Sequence, residues 1–291
     1  MDQLSAEQRE LIDVLVGELT AVDGIAAVVL GGSFARGRAQ PASDIDLGLF
    51  YSERTPFAIA AIRALAARAH DAADPVVTDF YEWGPWVNGG AWLTVRGQRV
   101  DLLYRSLEHV ERVLADAAVG RYELHHGQQP PFGFFSATYL GELAACVPLL
   151  DRDGRLNELR SRARRYPEAL RAAVVQDSLW QVEFALTVAR TCAARADVYG
   201  TVGCCTRLAF HLVLALFALN RTYLLNDKTA LAEIADFARA PRRFAPRLQQ
   251  ILSQPGSSAA QLSAAVAALR ELFGETVALS EGLYTQRYRL P

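Results

Sequence analysis

Val29-Leu-Gly-Gly-Ser-Phe-Ala-Arg-Gly-Arg-Ala-Gln-Pro-Ala-Ser-Asp-Ile-Asp-Leu-Gly-Leu-Phe50 is the stretch on which the reading of this chain turns. It starts near the end of a continuous apolar, β-branched run, Ile25–Leu30, that reads as a strand; Gly31-Gly32 breaks the run, and Ile45–Tyr51 forms a second strand candidate. A Gly-Gly-Ser turn that leaves a strand and opens a helix aims backbone N–H groups and the positive helix end at one spot, and its missing side chains let an anion come close. That geometry suits a phosphate at Gly31, Gly32 and Ser33. Asp44 and Asp46 stand two apart, so as strand residues their side chains leave the same face of the sheet, and two like charges so close call for a cation. Ligands made only of oxygen favour magnesium or manganese, and the phosphate turn beside them implies that the metal arrives with a nucleotide.

Working outward, Ser5-Ala-Glu-Gln8 reads as a capping box, after which Leu11, Ile12, Leu15, Val16 and Leu19 mark one apolar helical face. A helix is expected over 57–70 and short strands over 76–80, 91–95 and 99–104, with Asn88-Gly89-Gly90 and Arg96-Gly97-Gln98 supplying the turns. The first third therefore predicts a mixed sheet with helices on one side. Val100-Asp101-Leu102-Leu103 sets a third carboxylate inside an otherwise apolar strand, where a buried charge is costly unless it meets a metal or a donor. Three carboxylates from two strands plus a glycine turn are what a two-metal phosphoryl or nucleotidyl transfer site needs. From about Ser106 onward the strand signals disappear and helical periodicity takes over, with helices expected over 167–197, 201–225, 229–239, 246–252 and 259–279.

The 291 residues exceed what one small core usually serves, so two domains are expected. With 51% hydrophobic residues, 21% charged and a mean hydropathy of +0.09, the chain can bury a substantial core. Thirty basic residues against 32 acidic give a net charge of -2, which argues against a protein that coats nucleic acid or an anionic membrane. The four cysteines form no C-x-x-C pair, so neither structural zinc nor a disulfide framework is expected. The start carries no basic leader with an apolar segment behind it, and the longest apolar run, 208–219, contains His211 and is short for a bilayer. The sequence thus reads as that of a cytoplasmic protein without a membrane segment.

An apolar strand, Gly-Gly-Ser, about ten residues, Asp-x-Asp and a later acidic residue, in that order, resemble the pattern of the DNA polymerase β-like nucleotidyltransferase superfamily. Gly32, Ser33, Asp44, Asp46 and Asp101 fall on its positions, in a motif that covers about a quarter of the chain. The helical remainder resembles the second domain of the kanamycin and other aminoglycoside-type nucleotidyltransferases. The resemblance implies an α+β protein: a nucleotidyltransferase domain built on a small mixed sheet over residues 1–120, then an all-α helical bundle over 121–291, with the acceptor bound between them. It implies transfer of NMP, with ATP as the donor of AMP, to a hydroxyl of a small antibiotic-like molecule, with release of pyrophosphate and with two magnesium ions or manganese in their place. Asp44 and Asp46 would bind both metals; Asp101 would hold one and take the proton of the attacking hydroxyl. Gly31, Gly32, Ser33, Arg36, Ser43 and Lys228 would contact the nucleotide. A protein-modifying, antitoxin-like adenylyltransferase and a nucleotide-binding regulator without turnover are the alternatives, and a monomer or homodimer fits each.

Several other residues carry rival readings. Asp79 and Glu82 compete with Asp101 for the third acidic position, but the turn at Arg96-Gly97-Gln98 before Asp101 matches the pattern better. Trp83 and Trp86, with Gly84 and Pro85, border an acceptor pocket, or Trp83, Trp86 and Trp92 pack the sheet. Lys228 stands where a helix begins and its charge opposes the dipole, which a triphosphate would relieve; with Asn220, Arg221 and Tyr223 it forms a polar cluster, or it is simply solvated. His125 and His126 read as surface loop, His211 as core, and Asp177 and Glu183 as solvent-facing or ion-paired, or else as negative charge presented to a cationic acceptor.

Overall fold

In the computed structural model, which describes residues 3–40 and 42–287, the capping box forms as expected. Ser5 Oγ accepts from the Gln8 N–H at 3.1 Å while Gln8 Oε1 accepts from the Ser5 N–H at 3.0 Å, which fixes the start of α1 (Ala6–Thr20). There follow β1 (Ile25–Leu30), the single helical turn α2 (Gly32–Ala35), β2 (Ile45–Tyr51), α3 (Ile59–Ala69), the two-residue β3 (Val76–Val77), the turn α4 (Gly84–Val87), β4 (Gly90–Val95) and β5 (Gln98–Ser106). Then come α5 (Leu107–Ala118), the short ribbon of β6 (Leu124–His125) and β7 (Phe134–Phe135), α6 (Thr138–Ala145), β8 (Val147–Asp151) and α7 (Arg155–Ala163).

The six-stranded sheet has the order β3-β4-β5-β2-β1-β8 and is mixed, since β2 and β5 pair in parallel while the other neighbours are antiparallel. Strand alternation sorts the residues between its two faces. Ile45, Leu47 and Leu49 of β2 and Val100, Leu102 and Tyr104 of β5 share one buried core with Leu11, Leu15 and Leu19 of α1 and Ile62 and Leu65 of α3. Each such side chain contributes roughly 1.5–3 kcal/mol by leaving water, so this face anchors the strands. The intervening residues Asp46, Gly48, Asp101, Leu103, Trp92 and Gly90 point to the other face, which carries the candidate site.

Two strands depart from the sequence reading. The strand expected over 76–80 is only Val76–Val77, because Thr78 closes onto Gly90: its Oγ accepts the Gly90 N–H at 2.8 Å and its own N–H donates to the Gly90 carbonyl at 3.0 Å. The segment after Ser106 is not free of strands, since β8 pairs with β1 and places Pro148 opposite Val29 beside a slip in register. Proline is tolerated there because β8 is an edge strand. With β8 on the sheet, Glu123–Arg165 belongs to the first unit together with the residues up to Ala115, and the contacts do not divide the chain at residue 120.

The second unit joins Asp116–Tyr122 to the residues from Tyr166 onward. It is all helix, as expected: α8 (Glu168–Ala194), α9 (Val198–Leu219), α10 (Asp227–Ile234), α11 (Phe244–Ser253) and α12 (Ala259–Ala278). Among the described residues α9 alone is long and apolar enough to cross a membrane, with a mean hydropathy of 1.9, and 72% of that window is buried inside the protein, as in the central helix of a bundle. It stops at Leu219 because Asn220 takes over the end of the helix, its Nδ2 donating to the carbonyls of Leu216 at 2.8 Å and Arg239 at 2.9 Å. His211 is buried, as expected. Glu183 is not solvent-facing: it is wholly buried, and it accepts hydrogen bonds from the Tyr284 hydroxyl and from the Arg287 N–H at 3.0 Å.

Candidate functional site

β1 ends at Leu30, and the Gly31 N–H donates to the Asp46 carbonyl at 2.8 Å, which clamps the turn to the start of β2. Gly32 is required on two counts. Its φ is +56°, and a Cβ there would lie 1.7 Å from Asp46 Oδ2 and 2.6 Å from its Cγ, so the Asp46 carboxylate rests against the bare Cα. The helix that opens here is one turn long, closed by the Ala35 N–H on the Gly31 carbonyl at 3.1 Å. What it offers an anion is therefore the leading N–H groups of that turn, which have no acceptor within it, rather than the field of a long helix.

The parallel register of β2 and β5 sets Asp46 directly opposite Asp101. Asp44 precedes β2 by one residue, and the Arg99 Nε stands 2.6 Å from its Oδ1. Burial raises the Asp46 carboxyl to about 7, with Asp101, Asp44 and Glu142 pushing in the same direction and Arg105 partly offsetting them. Burial likewise raises Asp101 to about 6, helped by Asp44 and opposed by Arg99. Burial and mutual repulsion thus make both carboxylates hold protons to a higher pH than a free aspartate, and positive charge placed between them would reverse that.

Two further groups escaped the sequence reading. Arg105, buried on β5, forms a two-pronged ion pair with Glu142 of α6, at 2.9 Å from Nε and 3.1 Å from the second nitrogen. It also donates to the carbonyls of Val87 at 3.2 Å and Tyr104 at 3.0 Å, and its guanidinium lies 5.1 Å from the centre of the Tyr139 ring. Burial disfavours its charge, but Glu142, Tyr139 and Asp46 together more than offset that and hold it protonated. Arg105 follows Leu102-Leu103-Tyr104, so the reasoning that picked out Asp101 as a charge in an apolar strand applied to it as well.

The remaining expected residues divide. Ser43 Oγ accepts the Gln40 N–H at 2.8 Å, and the Ser43 N–H donates back to the Gln40 carbonyl at 2.9 Å, so Ser43 closes the turn that delivers Asp44. Arg36 ends α2, half-buried. Lys228 belongs to the second unit, exposed in the first turn of α10, where Asn226 caps the Thr229 N–H at 3.1 Å. Its expected companions are engaged: Arg221 pairs with Glu168, and Tyr223 stacks on Tyr166 with ring centres 4.6 Å apart. Asp79 is exposed and paired with Arg63 at 2.8 Å, while Glu82 accepts the Asp79 N–H at 2.8 Å. Both rivals of Asp101 thus serve the turn after β3. Trp86 is buried against Phe134, Tyr139 and His109, whereas Trp83 stacks on Trp92.

Among the described residues no three His, Cys, Asp or Glu side chains form a protein-only metal cage. The donor set instead suits an ion that comes with its own oxygens. Magnesium is commonly held by one or two carboxylates plus substrate phosphates, and Asp46 and Asp101 supply two unneutralised oxygen donors beside a turn shaped for phosphate.

A strand ending in Gly-Gly-Ser beside facing carboxylates on a mixed sheet defines a nucleotidyltransferase domain of the DNA polymerase β-like kind. Residues 12–118 match the family model described as a nucleotidyltransferase domain, which the pattern of that superfamily fits, and residues 135–228 match a domain of unknown function, DUF4037. No curated protein matches the chain. Among solved structures it is similar to a nucleotidyltransferase-like protein from Exiguobacterium sibiricum 255-15, over 96% of this chain and 78% of that one, at 12% identity and a TM-score of 0.46.

Proposed function

We propose that the protein transfers AMP from magnesium-bound ATP to a hydroxyl of a small molecule. The observation that carries this reading is the pair of register-matched carboxylates, Asp46 and Asp101, beside a glycine whose Cα touches Asp46. The backbone of Gly31 and Gly32 and the hydroxyl of Ser33 hold the β and γ phosphates, and Arg36 adds positive charge toward the nucleotide. Asp44 and Asp46, with Asp101 alongside, are the ligands for divalent metal. Magnesium, or manganese in its place, supplies charge that steadies the triphosphate and the departing pyrophosphate. The acceptor oxygen forms a bond to the α-phosphorus, the bond from that phosphorus to the β-bridging oxygen breaks, pyrophosphate leaves, and the hydroxyl proton goes to the Asp101 carboxylate. Arg99, which pairs with Asp44, would have to release that carboxylate for Asp44 to hold a metal.

The near-neutral charge supports a small acceptor over a polynucleotide, which needs an extended basic surface. The test is incubation of the protein with magnesium and each nucleoside triphosphate in turn against a panel of hydroxyl compounds, followed by mass spectrometry of both compounds and protein. An adenylylated compound with matching pyrophosphate supports the reading. Nucleotide attached only to protein side chains would establish the protein-modifying alternative, and nucleotide binding without any product would establish the regulator.

A further inference from the structure

An in-line displacement has a direction: the attacking oxygen comes from the side opposite the leaving group. On the reading proposed above, on which this inference rests, pyrophosphate departs toward the Gly31-Gly32-Ser33 turn at the end of β1. Across the sheet the strands run β1, β2, β5, β4. Asp46 on β2 is the register partner of Asp101 on β5, and Asp101 is the register partner of Trp92 on β4. Register partners leave the same face with Cβ atoms roughly 4.5–5.5 Å apart. The row therefore reads phosphate turn, Asp46, Asp101, Trp92, and the attacking hydroxyl enters from the side of Trp92.

Trp92 is not a core residue. It remains 50% exposed, and its own register partner on β3, Val76, is 49% exposed, so the row ends in an apolar strip at the surface. The core on the opposite face is filled by Ala91, Leu93 and Val95. Trp92 is nevertheless held in place, because Trp83 stacks on it with ring centres 4.5 Å apart and planes 23° from parallel. Trp83 is fixed in turn: it lies over Gly90, where a Cβ would come within 3.2 Å of its ring, and its backbone N–H donates to the Asn88 carbonyl at 2.8 Å. An exposed indole, rigidly backed and next in line to a proton-accepting carboxylate, has the properties of a binding platform.

We propose that the Trp83–Trp92 pair is the acceptor platform and that the acceptor is a ring-bearing alcohol. Its ring lies on the exposed part of Trp92, and a hydroxyl on or next to that ring points at Asp101. A ring fits because an indole offers flat apolar area and a rigid ligand loses little freedom on docking; an acyclic polyol would gain less contact and lose more freedom.

The platform is tested apart from catalysis by fluorine NMR of protein labelled with 5-fluorotryptophan, whose four tryptophans are assigned through single Trp→Phe variants. The probes are a methyl pyranoside and 2-phenylethanol, with sorbitol as the acyclic control, each added with magnesium and a non-hydrolysable ATP analogue. Both ring probes are expected to shift the Trp92 and Trp83 signals and to leave Trp86 and Trp180 in place, while sorbitol at equal concentration moves none. Trp92 signals unmoved by either ring probe, or moved equally by sorbitol, overturn the proposal. For a ring alcohol that the wild type adenylylates, Trp92→Ala is expected to raise KM about tenfold or more, the scale of one lost stacking contact, with Trp92→Tyr recovering most of it; an unchanged KM overturns the platform. Absence of magnesium-dependent nucleotide binding would instead sink the nucleotidyl-transfer reading, and the shifts of Trp92 alone would still judge the platform.

Discussion

Glu183, in the helical unit, and Asp46, on the open face of the sheet, are both acidic side chains taken largely out of water, and their surroundings are opposite. Glu183 is met by donors, the Tyr284 hydroxyl and the Arg287 N–H. Asp46 is met by acceptors, with Asp101 across the strand pair, Asp44 two residues back and a glycine that presents no side chain. A carboxylate that only holds a fold together has its oxygens met by donors. On the reading proposed above, Asp46 is left destabilised, with Arg105 offsetting only part of the cost, and an arriving cation compensates the rest.

The contrast breaks most sharply in catalysis. Asp46→Asn is expected to slow nucleotidyl transfer by about a hundredfold to a thousandfold, the scale of one lost electrostatic stabiliser, and to weaken Mg-ATP binding with it. Glu183→Gln should change neither. Steady-state kinetics and calorimetry on the two variants check this, and equal losses in both would erase the distinction. Asp101→Asn sharpens it: transfer should slow by about a hundredfold, the usual scale for a lost general base, while Mg-ATP binding is largely kept. If turnover in Asp101→Asn matches the wild type, the base lies elsewhere.

Gly32→Val should come next, since its Cβ would occupy the place of Asp46 Oδ2. The expected result is a folded protein, by circular dichroism, with triphosphate affinity reduced at least tenfold, about 1.4 kcal/mol. In the helical unit the ranking reverses, and stability responds rather than activity. Glu183→Ala leaves the Tyr284 hydroxyl and the Arg287 N–H without their acceptor and should cost about 1–3 kcal/mol in denaturant unfolding, whereas Glu183→Gln keeps a carbonyl oxygen and should cost less.

Asp46 and Asp101 also leave a mark in pH dependence. Asp46 at about 7 and Asp101 at about 6 lie above their ordinary value of 3.8, so the folded protein retains protons that the unfolded chain has already released. In EDTA, their contribution to stability is fully present below pH 4 and is lost as the pH rises through 6 and 7. Thermal melts between pH 4 and 8 should show this decline in the wild type and a flatter profile in Asp46→Asn; parallel profiles would contradict the crowding of carboxylates.

The same contrast explains what could be read from the sequence. Ile25–Leu30 and Ile45–Tyr51 were legible to the residue because apolar runs end at Gly31 and begin after Asp44, and the phosphate turn and Asp-x-Asp lie between them in one local stretch. Signals spread across the chain were not. The parallel pairing that brings Asp101 opposite Asp46 joins strands separated by α3 and a hairpin, and Glu142 reaches Arg105 from 37 residues away. β8 hid behind Pro148, which argues against a strand except at an edge, and only the sheet itself shows that this position is an edge. Glu183 looked like a surface charge because the groups that satisfy it lie about a hundred residues further on.

The central claim is that the carboxylate face takes a nucleotide only together with divalent metal, and titration calorimetry of ATP tests it most directly. Heat of binding is expected when ATP is added to the protein in magnesium and none in excess EDTA, because Asp44, Asp46 and three phosphates cannot share a pocket without cations between them. Equal affinity under the two conditions would contradict the account.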